Sequence, residues 1–307
     1  LDINTGEVDL RFHPAHDFTV ETGAKRQTKV GTRATGGAFG FSNAVELAAP
    51  IDQTTYDAYL DMQKATPLYQ LAFGYHLSDF QNNIPNLYWD NPYRATNRYS
   101  SSSGYSSGDQ SKDGAQAMEP NNTVQNFKLE GGLNLPGRTR VSGEAGMQLW
   151  KANNAMLPYT TNTAIKNTSA MTDKPPFDAS VTRPDDDVVG HIEVYTYMGK
   201  VASRPTDWLR ATLSHEAYIL ENKSKQYTLP GWAVFDQIWH VETKTTPREQ
   251  FRDDKTALAF DYEILSGLSG STGAKHIYKK QTREIPKLRE YEFEQGFTLR
   301  PHERRLE

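Results

Sequence analysis

The chain has 307 residues, a formal net charge of -4 at pH 7 and a hydrophobic content of 36%. So small a charge does not indicate nucleic-acid binding, and the absence of an apolar run of about 18 residues excludes a transmembrane helix while leaving a transmembrane β-barrel open. The chain contains no cysteine, which excludes disulfides, thiolate metal sites, cysteine nucleophiles and covalent attachment of haem to this chain.

Alternation of polar and apolar residues predicts a series of strand pairs followed by one more strand. In chain order they lie at 7–13 with 17–27, 54–64 with 68–79, 123–135 with 138–151, 188–202 with 207–221, 255–265 with 274–284, and 289–300. Short turns that contain proline join most of the pairs, as at Pro136 and Pro205. The count is odd and the last strand has no partner, which predicts that further strands follow in a longer protein, because an unpaired edge is costly in lipid.

The clearest alternation flanks the turn at 135–138. Phe127, Leu129 and Leu133 occupy one face of the first arm, and Lys128 and Glu130 occupy the other. Each arm is about as long as the roughly 9 to 11 residues that a tilted strand needs to cross a bilayer. Charges of both signs on the polar face are typical of a wet barrel interior.

Long polar segments separate the strand pairs, at 28–52, 81–121, 152–186 and 223–253. Loops of this length are uncommon in compact soluble domains, whereas outer-membrane barrels combine short periplasmic turns with long extracellular loops. Aromatic residues close to the short turns predict an interfacial girdle; these are Phe12, Phe18, Tyr69 and Phe297. The predicted fold is therefore all-β, an antiparallel up-and-down transmembrane β-barrel with about 11 or 12 strands in residues 1–307, forming one region of a larger barrel. A soluble β-sandwich or lectin-like fold is the alternative, and the long loops argue against it.

Several segments resemble the MtrB/PioB family of outer-membrane barrels, which accompany multihaem cytochromes. The segments are Phe41-Ser42-Asn43-Ala44-Val45-Glu46-Leu47 with Ala48-Ala49-Pro50-Ile51-Asp52, Leu87-Tyr88-Trp89-Asp90-Asn91-Pro92-Tyr93, Pro120-Asn121-Asn122, Asn153-Asn154-Ala155-Met156-Leu157-Pro158 and Ser203-Arg204-Pro205. The resemblance covers residues 40 to 210 well. Outside this range it rests on the strand pattern alone. It implies a larger barrel in the outer membrane of a Gram-negative bacterium, with outer-membrane lipid around it.

The resemblance also implies a role, in which the barrel sheathes a periplasmic multihaem c-type cytochrome in its lumen and allows a second, extracellular multihaem cytochrome. This chain then binds no cofactor itself and performs no catalysis, because the haem is carried by the partner cytochrome. Polar strand residues are the expected lumen-facing contacts with that partner. They are Asp57, Asp61, Asn126, Lys128, Glu130, Arg140, Glu144, Arg210, Asp261, Glu263, Glu292 and Glu294. Without the resemblance, the same charges are more typical of a water-filled pore.

Two other functions stay open from the sequence. The first is a general diffusion porin with a charged lumen. The second is a surface hydrolase, since 104–108 matches the G-x-S-x-G pattern of a nucleophilic serine, although no strand-turn-helix surrounds it. A weak calcium candidate lies at Asp109, Ser111 and Asp113, where oxygen side chains alternate ahead of a glycine but the twelfth position is a proline. His191 and His215 are strand residues that could face the lumen.

Overall fold

A computed structural model describes residues 1–39, 43–99, 111–166, 178–265, 267–282 and 286–299. These residues form fifteen β-strands, and none of their segments is a helix that could cross a membrane. The strands are β1 (Asp2–Ala15), β2 (Phe18–Phe39), β3 (Asn43–Ala65), β4 (Tyr69–Asn82), β5 (Asn86–Asp90), β6 (Asp113–Ala117), β7 (Asn121–Leu135), β8 (Thr139–Ala155), β9 (Asp187–Thr206), β10 (Leu209–Asn222), β11 (Thr228–Val234), β12 (Ile238–Thr245), β13 (Phe251–Leu265), β14 (Leu268–Gln281) and β15 (Lys287–Leu299).

Eleven of these strands form one large antiparallel sheet. Its order is β1-β2-β3-β4-β7-β8-β9-β10-β13-β14-β15, so sequence neighbours pair throughout and only the two short hairpins are left out. The sheet is not closed, and β1 and β15 form its edges. The prediction of an all-β, antiparallel, up-and-down fold with about eleven strands is confirmed.

The register gives the sheet two chemically different faces. Residues directly opposite one another share a face, and the face that holds Leu129 also holds Phe73, Ala145, Tyr197 and Ala217 in consecutive strands. We call it the apolar face, and the one that holds Lys128 the polar face. Large side chains on the apolar face are left open, with Leu129 49% and Phe293 80% exposed. No second sheet or helix covers them in the described ranges, and so large an open apolar patch is a surface for lipid.

The short turns lie at one end of the sheet. The turn between β7 and β8 places Gly137 at φ 76° and Arg138 at φ 54°, a backbone that glycine adopts without strain. At the same end Trp208 is 55% exposed in the turn between β9 and β10. Phe12, Phe18, Tyr69 and Phe297 all lie on the apolar face close to this end.

Three of the predicted long loops and one predicted strand boundary differ from the structure. The segment 28–52, predicted as a loop, is strand at 28–39 and 43–52, because β2 and β3 stay paired from Phe18↔Lys64 as far as Phe39↔Asn43. The strand predicted to begin at 274 begins earlier, at Leu268, which pairs with Leu265. The predicted loops 81–121 and 223–253 contain short hairpins of their own, β5–β6 and β11–β12.

The small core of the molecule lies among the long connections. Ile165, Ala179 and Trp239 are buried together, and Tyr159 packs against them with its ring centroid 5.0 Å from that of Trp239. The large sheet has no comparable core, because its apolar side chains point away from the protein.

Candidate functional site: the polar face of the sheet

The register brings all twelve sequence-predicted contact residues onto the polar face. They are spread across it, from β3 at one side, through β7, β8 and β10, to β13 and β15 at the other. The residues are Asp57, Asp61, Asn126, Lys128, Glu130, Arg140, Glu144, Arg210, Asp261, Glu263, Glu292 and Glu294. They therefore form a broad surface and not a compact site.

Rows of charged residues of both signs cross this face. Arg11 lies opposite Glu21, and Glu21 lies opposite Asp61. Gly74 comes next in the row and leaves room for Asp61, since a Cβ at Gly74 would lie 2.8 Å from the Asp61 Oδ1 atom. Lys128 then follows in β7. The sign of the charge changes along the row, so the face is mixed in charge.

Many of these charges are paired across strands. The nitrogen-to-oxygen distances are 3.1 Å for Arg11–Glu21, 3.8 Å for Lys25–Glu7, 3.5 Å for Lys128–Glu144 and 2.9 Å for Lys275–Glu292. Lys128 also contacts Glu130. Exposed pairs of this kind contribute about 0 to 1 kcal/mol each. Their main physical effect is to keep the surface wet and polar.

Other charged residues on the polar face stand apart from these pairs. Within the described ranges, Asp57, Arg210, Asp261, Glu263 and Glu294 have no ion pair at 4.0 Å or less. Arg140 instead donates hydrogen bonds to Gln70 at 2.7 Å and to Asn134 at 3.0 Å. The unpaired acids lie mainly on β13 and β15, so the polar face is more acidic at that side.

The prediction that His191 and His215 could face the lumen is wrong. His191 lies opposite Lys151 and His215 lies opposite Gly199, which places both on the apolar-face side of the sheet. Alternation starting from Tyr195 and Tyr197 could have shown this. His191 lies near the long-connection end, where its Nε2 is 3.1 Å from Glu193 Oε1.

Glu193 itself was not predicted from the sequence. It is only 8% exposed, lies on the same side as His191 and accepts a hydrogen bond from Lys223 Nζ at 2.6 Å and another from Tyr195. A buried carboxylate on this side is tolerated because its oxygens are all engaged. These contacts of Glu193 hold the ends of β9 and β10 together.

The structure gives the weak calcium candidate no support. Asp109 lies outside the described residues, as does the segment 104–108 with its G-x-S-x-G pattern. Ser111 is 1% exposed and its hydroxyl is 2.6 Å from the Thr161 hydroxyl and 3.3 Å from Asn97 Oδ1. Asp113 belongs to β6. In the described part of the chain, no group of three or more His, Asp or Glu residues is arranged to hold a metal ion.

The long connections interlock into what we call the loop cap, formed by β5–β6, residues 156–165 and β11–β12. Thr160 donates a hydrogen bond of 2.7 Å to Asp236 at the tip of β11–β12, and Asn162 donates one of 2.6 Å to the Asp236 carbonyl. Burial raises the pKa of Asp236, against the opposing effect of the Thr160 hydroxyl. A cavity of about 950 Å³ lies between the cap and the end of β2.

Trp89 anchors the cap to the sheet. Its ring centroid lies 6.2 Å from that of Phe39 at the end of β2, and its indole passes between Gly37 and Gly114, where any Cβ would come within 3 Å of it. Phe39 and Gly37 both belong to the polar-face side of β2. The cap therefore folds over the polar side of the sheet at the end opposite the short turns.

Comparisons with known proteins agree with this architecture. The chain is similar over 97% of its length to 42% of a solved chain, "The FrpB iron transporter from Neisseria meningitidis (F5-1 variant)", with a TM-score of 0.53 and 12% sequence identity. The chain thus spans less than half of that barrel, and at this identity the likeness concerns the fold. No curated protein matches the sequence.

A family model described as "Putative outer membrane beta-barrel porin, MtrB/PioB" matches residues 5–304, nearly the whole chain. This confirms the resemblance found in the sequence and locates the protein in the outer membrane of a Gram-negative bacterium. In such barrels the apolar face contacts lipid and the opposite face lines the interior. The chain belongs to the MtrB/PioB family of outer-membrane β-barrel porins.

Proposed function

We propose that this chain is part of a barrel that sheathes a periplasmic multihaem c-type cytochrome and positions it for electron transfer across the outer membrane. A chain of haems conducts across an insulating bilayer only if it is held in a fixed line, and a wide barrel supplies that support. The barrel binds no cofactor and catalyses no reaction, since the haems belong to the partner. An extracellular multihaem cytochrome is the natural second partner at the long-loop end.

The observation that supports this proposal best is the chemistry of the polar face. It presents a wide, mixed-charge surface with unpaired groups such as Asp57, Arg210 and Asp261, and such a surface can fit the mixed charges of a folded protein. Mixed charges set the register and orientation of a partner more than they raise its affinity. A water-filled pore also has a polar lining, so the haem experiment below is what separates the two functions.

The test uses the full-length protein, purified from its native membrane and analysed on a haem-stained gel. We expect one multihaem protein to co-purify, and we expect the double variant Lys128→Glu/Arg140→Glu to retain several-fold less haem. Both residues lie on the polar face. The matched control is Arg26→Glu, the same charge reversal on the other face of β2, which should retain haem like the natural protein.

A general diffusion porin is the alternative, favoured by the family description and by the wet, charged face. It predicts large salt conductance when the barrel alone is reconstituted in liposomes, and no bound haem. If no haem protein co-purifies and the conductance is large, the sheath proposal fails and the porin takes its place.

A further inference from the structure

We propose that a basic cluster on the lipid-facing side of the sheet binds the phosphate groups of the lipid that forms the outer leaflet of the outer membrane. The cluster consists of Lys280, Lys287 and Arg289, next to Arg252. The proposal depends on the barrel's place in the membrane and not on the cytochrome role, so the haem experiment and the one below can fail separately.

The cluster is made by the register of three strands. Arg252 lies opposite Lys280, and Lys280 lies opposite Lys287, so three cations form one row across β13, β14 and β15. In the next row Arg289 lies opposite Tyr278. Like charges directly opposite each other destabilise a sheet. A row of three cations is therefore unfavourable unless an anion lies against it.

Most of this positive charge is uncompensated. Arg252 forms two hydrogen bonds to Asp254, with Nε to Oδ2 at 2.5 Å and Nη2 to Oδ1 at 3.1 Å. Among the described residues, no carboxylate pairs with Lys280, Lys287 or Arg289, all of which are exposed. Arg289 has only the ring of Tyr278, with its Cζ 5.7 Å from the centroid.

The height of the cluster fits a lipid headgroup. β14 runs over 14 residues from Leu268 to Gln281; at roughly 3.3 Å per residue and a tilt of about 40°, Lys280 lies about 30 Å from the short-turn end. The apolar band of such barrels is about 25 Å tall. The cluster thus lies just beyond the hydrocarbon, on the long-loop side, which is the extracellular side in these barrels.

The side chains below the cluster mark the same boundary. Tyr278 and Tyr291 lie on the same face, one and two rows nearer the short turns, where aromatic residues occupy the membrane interface. Phe293 and Phe297 continue this face into the apolar band. Aromatic side chains beside and below basic ones are the arrangement expected where acyl chains give way to phosphorylated headgroups. Lys151 in β8 lies on the same face, at a similar distance from the short turns.

The experiment measures lipid A bound to the full-length barrel after purification in detergent. The variant is Lys280→Gln/Lys287→Gln/Arg289→Gln, and the control is Lys275→Gln/Lys279→Gln, which removes cations from the other face of β14. Each cation near an anionic lipid surface contributes about 1 kcal/mol, or about fivefold in affinity. We therefore expect the variant to lose bound lipid A by tenfold or more and the control to match the natural protein.

Two further arms separate the possible outcomes. Added diphosphorylated lipid A should raise the unfolding temperature of the natural barrel but not of the variant, whereas dephosphorylated lipid A and inorganic phosphate at equal concentration should have no effect. Heat modifiability on gels verifies that each variant folds, and an all-Arg variant (Lys280→Arg/Lys287→Arg) should bind like the natural protein. Equal lipid A on variant and natural protein, equal loss in the control, or the same stabilisation by inorganic phosphate would overturn the proposal.

Discussion

Replacing Leu213 by arginine is the sharpest test of which face contacts lipid. Leu213 is 47% exposed and lies opposite Val201 and Leu258 on the apolar face. It is about five residues beyond Trp208, which corresponds to about 13 Å above the short-turn boundary and so to the middle of an apolar band about 25 Å tall. An arginine at that depth costs about 2 to 4 kcal/mol.

The matched control is Thr212→Arg, one residue away in the same strand. Thr212 lies opposite Ala202 and Ala259 on the polar face, so the new charge enters water and meets no like charge directly. Its cost should stay within about 0.5 kcal/mol. The free energy of unfolding is measured by urea titration of the full-length protein in lipid vesicles. Equal stability of both variants, or a larger loss for Thr212→Arg, would refute the assignment of the faces.

The remaining predictions concern the loop cap. Because the pKa of Asp236 is raised above its ordinary value of 3.8, the stability that its protonated form confers is present below about pH 4 and is lost as the pH rises through the raised value. The protection of the cap amides, which is the intrinsic exchange rate at each pH divided by the observed rate, should therefore fall over that window. Asp236→Asn, which keeps the Thr160 hydrogen bond and tolerates φ 54°, should abolish this fall. If the protection of the cap amides in the natural protein does not change with pH, the burial argument is wrong. Gly114→Ala places a Cβ 2.3 Å from the Trp89 ring and should destabilise β5–β6 by about 1 to 3 kcal/mol, seen as faster exchange of its amides. Gly199→Ala, where a Cβ meets nothing within 4 Å, serves as its control, and equal exchange in both variants would contradict the packing of Trp89.

The sequence predicted the large sheet because membrane strands must alternate. Each strand that faces lipid on one side and water on the other carries that period regardless of distant contacts, so strands such as β7 and β8 could be located from local residues alone. The same rule put the twelve predicted contact residues on one face.

The features that the sequence did not predict have two causes: strand ends made of small residues, and contacts between segments that are distant in the chain. The ends of β2 and β3 are rich in Gly, Ala and Thr, which fit either face and show no alternation, so 28–52 was predicted as a loop. The start of β14 was not predicted as strand for the same reason. There the Tyr262 ring packs over Gly270 in the neighbouring strand, 2.6 Å from where a Cβ would lie. The loop cap depends on contacts between distant segments, such as Thr160 with Asp236, which no local pattern indicates.

The basic cluster was also missed, because each of its members reads as ordinary surface charge in its own strand. Only the pairing of β13 with β14 and of β14 with β15 brings Arg252, Lys280 and Lys287 into one row. Register is a property of the folded sheet, so this juxtaposition becomes visible only in three dimensions.

The most direct test of the two-faced sheet is a spin-label scan of β7 in lipid vesicles. The chain has no cysteine, so single cysteines can be introduced one at a time from Asn126 to Leu133 and labelled. We predict that labels at Phe127, Leu129 and Leu133 collide with oxygen dissolved in the bilayer, and that labels at Asn126, Lys128 and Glu130 collide with a water-soluble nickel complex. Accessibility that does not alternate, or that alternates with the opposite phase, would contradict the account.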